Sequence, residues 1–182
     1  MTKKIHSIRI KKENLIYENS YGKLYDDDVI FLPQSVNGKY VRWTWKAPYS
    51  VAVLPMVDEN QALLIKSFRH SARKVLLEVP KGFGAIGEEP LSVAKKELEQ
   101  ETGLRSEKIE QLGTVVTDPS FAYHPMHLFI AYDCASSKSH HESSEVIVET
   151  FKININDVPQ LLSKKGIEDA VTLLLLWLAS HL

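Results

Sequence analysis

Three oxygen-bearing side chains, Glu97, Gln100 and Glu101, fall on one side of a segment whose spacing predicts a helix, directly after a bend rich in glycine at Gly82, Gly84 and Gly87. Glu97 and Glu101 stand four residues apart, so their carboxylates lie one turn above the other. Like charges in that relation destabilise a helix by about 0.2–0.5 kcal/mol, and something must offset the repulsion. A divalent cation would do so. Two carboxylates beside a glycine bend offer hard oxygen ligands of the kind that Mg²⁺ and Mn²⁺ take. The competing reading is a solvated helix face on which Lys95 and Lys96 offset the acids.

The elements that must hold these groups can be read outward from the helix. Pro90 suits its first turn, Leu91, Ala94 and Leu98 recur at helical spacing, and Gly103 stops it. Short apolar runs before it, SVAVLPMV, QALLIKSF and VLLEVP, read as strands, the first two paired through the turn Asp58-Glu59-Asn60. Farther upstream, Ile5 to Ile10, Leu15 to Tyr17, Val29 to Leu32 and Tyr40 to Trp45 alternate apolar and polar residues. Asn37-Gly38 is the expected hairpin turn among them, and Asp26-Asp27-Asp28 an expected polar turn. After the helix, Leu112 to Thr117, Met126 to Tyr132 and Val146 to Ile155 read as strands, with residues 135–144 a polar loop. Two helices close the chain, one from Asn156 and Asp157 to Gly166, the other from about Glu168 onward. This order implies an α/β protein, a mixed-sheet α/β/α sandwich.

Composition narrows the partners. The chain's 182 residues, 44% of them hydrophobic, suffice for one good core and leave little room for a second. A net charge of −1 provides no basic field for nucleic acid or an anionic membrane surface. The run LLLLWLA is too short to span a bilayer. A lone Cys134 and the lack of a basic-then-apolar leader point to a reducing cytoplasm.

Gly82, Glu88, Glu97, Leu98, Glu101, Gly103 and Leu104 fall at the spacing of the Nudix box, and the chain resembles the Nudix hydrolases at this point. Two positions depart: Lys96 stands where the family has Arg, and Gln100 where it has the first of the paired acids. Lys keeps the charge without the planar fork of Arg, and Gln keeps a ligating oxygen without charge. The expectation is a competent site holding fewer ions, set against a box decayed into a scaffold that binds without cutting. The flanks LLIKSFRH, LLEVPKG and TDPSFAYHPMHLFIA are most similar to the ADP-ribose pyrophosphatase and ADP-compounds hydrolase branch, including Pro119 fifteen residues beyond Leu104.

That resemblance implies a Nudix-type α/β/α sandwich over residues 49–182, preceded by a β-rich extension over residues 1–48 that contributes to a homodimer interface. It implies Mg²⁺- or Mn²⁺-dependent cleavage of ADP-ribose or a related nucleoside diphosphate, releasing AMP. Glu97 and Glu101 would hold metal, with Gln100 and the Lys81 carbonyl as further ligands, and Glu88 would tie the bend to the helix. The general base would come from a later loop, Glu145 ahead of Glu142, the rival being that both are solvated loop charges. His140 and His141 beside them lack ligand spacing. Arg42, Trp43, Arg69, Lys81, Phe121 and Met126 are the candidate contacts for the nucleoside and phosphates. Trp43 and Trp45 share one strand face, so filling a core or a subunit interface is the rival role. The alternatives to ADP-ribose cleavage are a non-hydrolytic nucleotide-binding regulator and hydrolysis of NADH, a sugar nucleotide, a dinucleoside polyphosphate or an oxidised nucleotide.

Overall fold

A computed structural model describes residues 7–137, 147–163 and 166–182, which cluster into two units. The first comprises the described part of Met1–Pro48 together with Asp118–His124; the second comprises Tyr49–Thr117 and the described part of Pro125–Leu182.

The first unit is an antiparallel sheet centred on β3. Strands β1 (Ser7–Lys12) and β2 (Leu15–Glu18) share one edge of β3 (Gly22–Leu32), and β4 (Val36–Trp45) covers the other. The aspartate run expected to turn instead lies inside β3, where Asp27 is 2% exposed. The neighbouring strand β4 supplies the opposite charges that make this tolerable: Arg42 Nε donates to Asp27 at 2.6 Å and Lys39 Nζ lies 2.8 Å from Asp28. Asn37-Gly38 is not the hairpin turn either. Pro33 to Ser35 form it, with Ser35 at φ 59°, while Asn37 and Gly38 pair with Ile30 and Val29. Gly38 is there because the Phe31 ring fills the space a Cβ would take.

In the second unit the alternation of strands decides the architecture. Strand β5 (Tyr49–Pro55) is hydrogen-bonded in parallel to β11 (Ala122–Tyr132) and antiparallel to β8 (Lys81–Gly84), and β10 (Lys108–Asp118) continues the sheet beyond β11. Val51, Val53, Phe129 and Ala131 form one cluster with Val93, Ala94 and Leu98 of α1 (Pro90–Thr102). Ala52, Leu54, Leu128 and Ile130 form another with Val171, Leu175 and Leu176 of α3 (Ala170–Ala179). The central pair is therefore buried on both faces, which explains why its sequence reads as nearly continuous apolar residues.

Beyond this sheet, β6 (Gln61–Arg69) lies between β7 (Lys74–Glu78) and β13 (Ile147–Asn154) in a separate antiparallel sheet. The expected β5–β6 hairpin thus reduces to its turn. Asp58 Oδ1 accepts from the N–H groups of Asn60 and Gln61, a Met56–Ala62 bridge follows, and the strands then part into different sheets. Short strands β9 (Leu104–Arg105) and β12 (Ala135–Ser136) pair with each other, and a 3-10 turn at Ile155–Asp157 leads into α2 (Val158–Ser163).

Candidate active site

Helix α1 ends as its sequence requires: Gly103 adopts φ 68° and donates to the Glu99 carbonyl at 2.8 Å. Its inward face is Val93, Ala94, Leu98 and Glu101, while Leu91, expected on that face, is 41% exposed in the first turn. A carboxylate at 3% exposure needs a donor, and Glu101 Oε2 accepts from the Lys81 backbone N–H at 3.2 Å. Glu97, one turn earlier, lies half-buried over Gly82, with its carboxyl group occupying the place where a Cβ on residue 82 would stand. The two carboxylates therefore converge on the same two-residue piece of chain.

That piece is strand rather than bend. Lys81 to Gly84 pair with Ala52 to Tyr49, and only residues 85–89 form a loop. The glycines have different reasons: Gly82 admits Glu97, Gly84 admits the Tyr49 ring, and Gly87 takes φ 83°. Glu88 closes the loop by accepting from the Ala85 N–H at 3.1 Å, and its carbonyl receives the Tyr49 hydroxyl. Glu88 thus secures the loop to itself and, through its backbone, to β5. Burial, followed by the charges of Glu88 and Glu89, pushes the Tyr49 phenol above its ordinary value.

The pleat sends successive residues of β8 to opposite faces, so Gly82 faces α1 and the Lys81 side chain turns the other way. Lys81 Nζ lies 3.2 Å from Glu78 Oε2 and donates to Asp169 Oδ1 at 2.9 Å. Glu78, 2% exposed, also receives Arg69 through Nε at 3.0 Å and Nη2 at 2.6 Å, a two-pronged contact that fits the guanidinium. Asp169 caps α3 by accepting from the Thr172 N–H at 2.8 Å and hydroxyl at 2.6 Å. Burial raises the Asp169 carboxyl, but the Lys81 charge and the bonds from Thr172 and Lys81 outweigh it and hold the group below its ordinary value.

The remaining candidates are dispersed. Arg42, Trp43 and Phe121 belong to the first unit: Arg42 is held by Asp27 and Glu13 and lies 4.0 Å over the Tyr25 ring, and the Phe121 carbonyl accepts from the Trp43 N–H at 2.8 Å. Trp43 and Trp45 meet edge to face at 5.7 Å. Met126, in the second unit, packs against the core cluster beneath α3. Glu142 and Glu145 lie outside the described residues, as do His140 and His141. Among the described residues no group of three or more His, Cys, Asp or Glu is assembled that could hold a metal ion. Sequence reasoning missed Glu78, Asp169 and Thr172; the spacing Asp169-x-x-Thr172 ahead of an apolar run was the available sign of a helix cap.

A family profile described as "NUDIX domain" matches residues 46–172. The chain is 32% identical over 171 residues to "ADP-ribose pyrophosphatase" of Bacillus subtilis (strain 168), covering 93% of this chain and 90% of that protein. It is 30% identical over 164 residues to "Methanol dehydrogenase activator" of Bacillus methanolicus, covering 90% and 87%. A solved structure titled "Crystal structure of ADP compounds hydrolase" superimposes with a TM-score of 0.85 at 19% identity, covering 99% of this chain and 96% of that one, and shares the fold.

Proposed function

The chain belongs to the Nudix family of hydrolases, and from that premise we propose that it is a divalent-metal-dependent pyrophosphohydrolase cleaving ADP-ribose or a closely related ADP compound. The observation that carries this reading is the convergence of Glu97 and Glu101 on Lys81 and Gly82. Their hard oxygen donors suit Mg²⁺ or Mn²⁺, and the Gly82 cradle keeps a carboxylate where a side chain would displace it. Gln100 would add a neutral oxygen and Lys81 its carbonyl, with substrate and water completing the shell. When bound, the ion supplies charge neutralisation at the diphosphate oxygens and lowers the pKa of coordinated water.

The chain's own groups do the rest. Lys81 N–H fixes one oxygen of Glu101, so the carboxylate that would hold the ion is already oriented rather than searching rotamers. Glu145, or Glu142 beside it, takes the proton from the attacking water. The water oxygen bonds to phosphorus, the bridging P–O bond breaks, and ADP-ribose yields AMP and ribose 5-phosphate. A homodimer is part of the same proposal, because Ile10, Leu15, Ile16 and Tyr17 on the first two strands are each at least half exposed and need cover.

Purified protein incubated with ADP-ribose and Mg²⁺ or Mn²⁺ should release AMP, and Glu101→Gln should lower the rate by on the order of 10² or more. Equal rates in both proteins sink the assignment of Glu101. A second reading, binding without turnover, is favoured by Gln100 and Lys96 and by the resemblance to an activator protein. Calorimetric affinity for ADP-ribose with no product under any divalent ion would select it. A panel of diphosphate compounds with products identified by mass fixes the substrate.

A further inference from the structure

We propose that Asp169, the capping residue of the C-terminal helix, is a positioning residue for the metal-binding carboxylate Glu101, acting through Lys81. The proposal rests on the metal site described above and extends it to the opposite side of the sheet.

Lys81 is bonded to both layers at once. Its backbone N–H reaches Glu101 on α1, and its ammonium reaches Asp169 at the start of α3. A second link runs beside the first. Thr172 Oγ, fully buried, accepts from the Val79 N–H at 2.9 Å and donates to Asp169 at 2.6 Å, so α3 grips the chain at residues 79 and 81. From the other direction the Pro80 carbonyl accepts from the Val53 N–H at 3.0 Å. The segment that orients Glu101 is therefore clamped on both sides, and on the α3 side Asp169 meets both links, taking the Lys81 ammonium and the Thr172 hydroxyl that holds Val79.

Charge balance explains why this carboxylate is required. Glu78, almost fully buried, already accepts Arg69, and Lys81 brings a second cation to the same place. Asp169 supplies the second anion. Without it, a part-buried ammonium would share one carboxylate with a guanidinium, and both attachments of residues 79–81 to α3, the Lys81 ammonium and the Thr172 hydroxyl, would lose the group that holds them. Hydrogen-bond partners that orient metal ligands commonly affect ion affinity by about 10–100-fold when lost.

The test uses Asp169→Asn, which preserves the capping oxygen while removing the charge, and Lys81→Met, which keeps the stem and removes the ammonium. Mn²⁺ affinity is measured by calorimetry on the full chain, well below the unfolding midpoint, alongside kcat and KM for ADP-ribose at saturating and limiting metal. Each variant should weaken Mn²⁺ binding by about tenfold. The double variant should be no weaker than either single one, and KM for the nucleotide should change less than kcat at limiting metal. Asp169→Glu should restore part of the affinity. A lowered melting temperature with unchanged Mn²⁺ affinity reduces Asp169 to a helix cap and overturns the proposal. Wild-type protein that binds no Mn²⁺ overturns the metal site itself and this proposal with it, whereas a wild type that binds and variants that bind equally overturn this proposal alone.

Discussion

The two units use the same backbone chemistry and differ in what covers their faces. In the second, β5 and β11 are buried above and below, with Val51 and Phe129 under α1 and Ala52 and Leu128 under α3. In the first, β3 is paired along both edges, yet Ile8, Ile10, Leu15, Ile16, Tyr17 and Val41 remain 43–59% exposed. Edge pairing satisfies hydrogen bonds; only face packing removes apolar surface from water. Glu97 and Glu101, like charges one turn apart, stand on the helix that packs against this doubly covered sheet. The first unit balances its buried Asp27 with cross-strand charge from Arg42 and leaves apolar area exposed.

Truncating the same chemistry in each unit should expose this difference. Leu98→Ala removes a side chain of α1 that is 1% exposed and should cost about 2–5 kcal/mol in a denaturant titration. Gly82→Ala should separate function from stability in the same unit. The three nearest atoms to its new Cβ all belong to the Glu97 side chain, so the melting temperature should fall little as that side chain gives way, while hydrolysis falls by about 10²-fold because the carboxylate is pushed aside. If activity survives, Glu97 is not where the chemistry is.

In the first unit, Ile10→Ser, at a position 56% exposed, should alter folding stability by no more than about 0.5 kcal/mol. The same change should weaken a homodimer, read as a rise in the dissociation constant by sedimentation; an unchanged constant, or a wild type that is monomeric, removes that face from the interface. The smallest effect is a pH dependence. Burial holds His124 below its ordinary 6.5, so the unfolded chain takes up the proton first as pH falls. The stability linked to its neutral form is complete above pH 6.5 and is lost as pH drops through the lower folded value. Trp45, whose ring lies 5.7 Å from His124, should report this by fluorescence, and His124→Gln should flatten the profile.

Much of the second unit was legible because its signals are local. Pro90, the apolar spacing and Gly103 set α1, and the one-turn relation of Glu97 to Glu101 follows from any helix that contains both. The same local reasoning misplaced the first unit's turn. Asn37-Gly38 and the aspartate run carry strong turn chemistry, but pairing of β3 on both edges and the charges of Arg42 and Lys39 overrode it. The glycines show the boundary well: their clustering was visible, while the reason for Gly82 depends on a carboxylate fifteen residues away in sequence.

By itself the sequence determined the family, the α/β class, helix α1 and the one-turn spacing of Glu97 and Glu101, since each is written in local spacing. Only the tertiary structure decided which backbone N–H the buried Glu101 would find, that Lys81 faces Asp169 rather than the acids of α1, and that β5 and β6 part into different sheets. Those choices depend on which strands pair and which face each residue presents, and a strand's two faces are distinguished only when something packs against them.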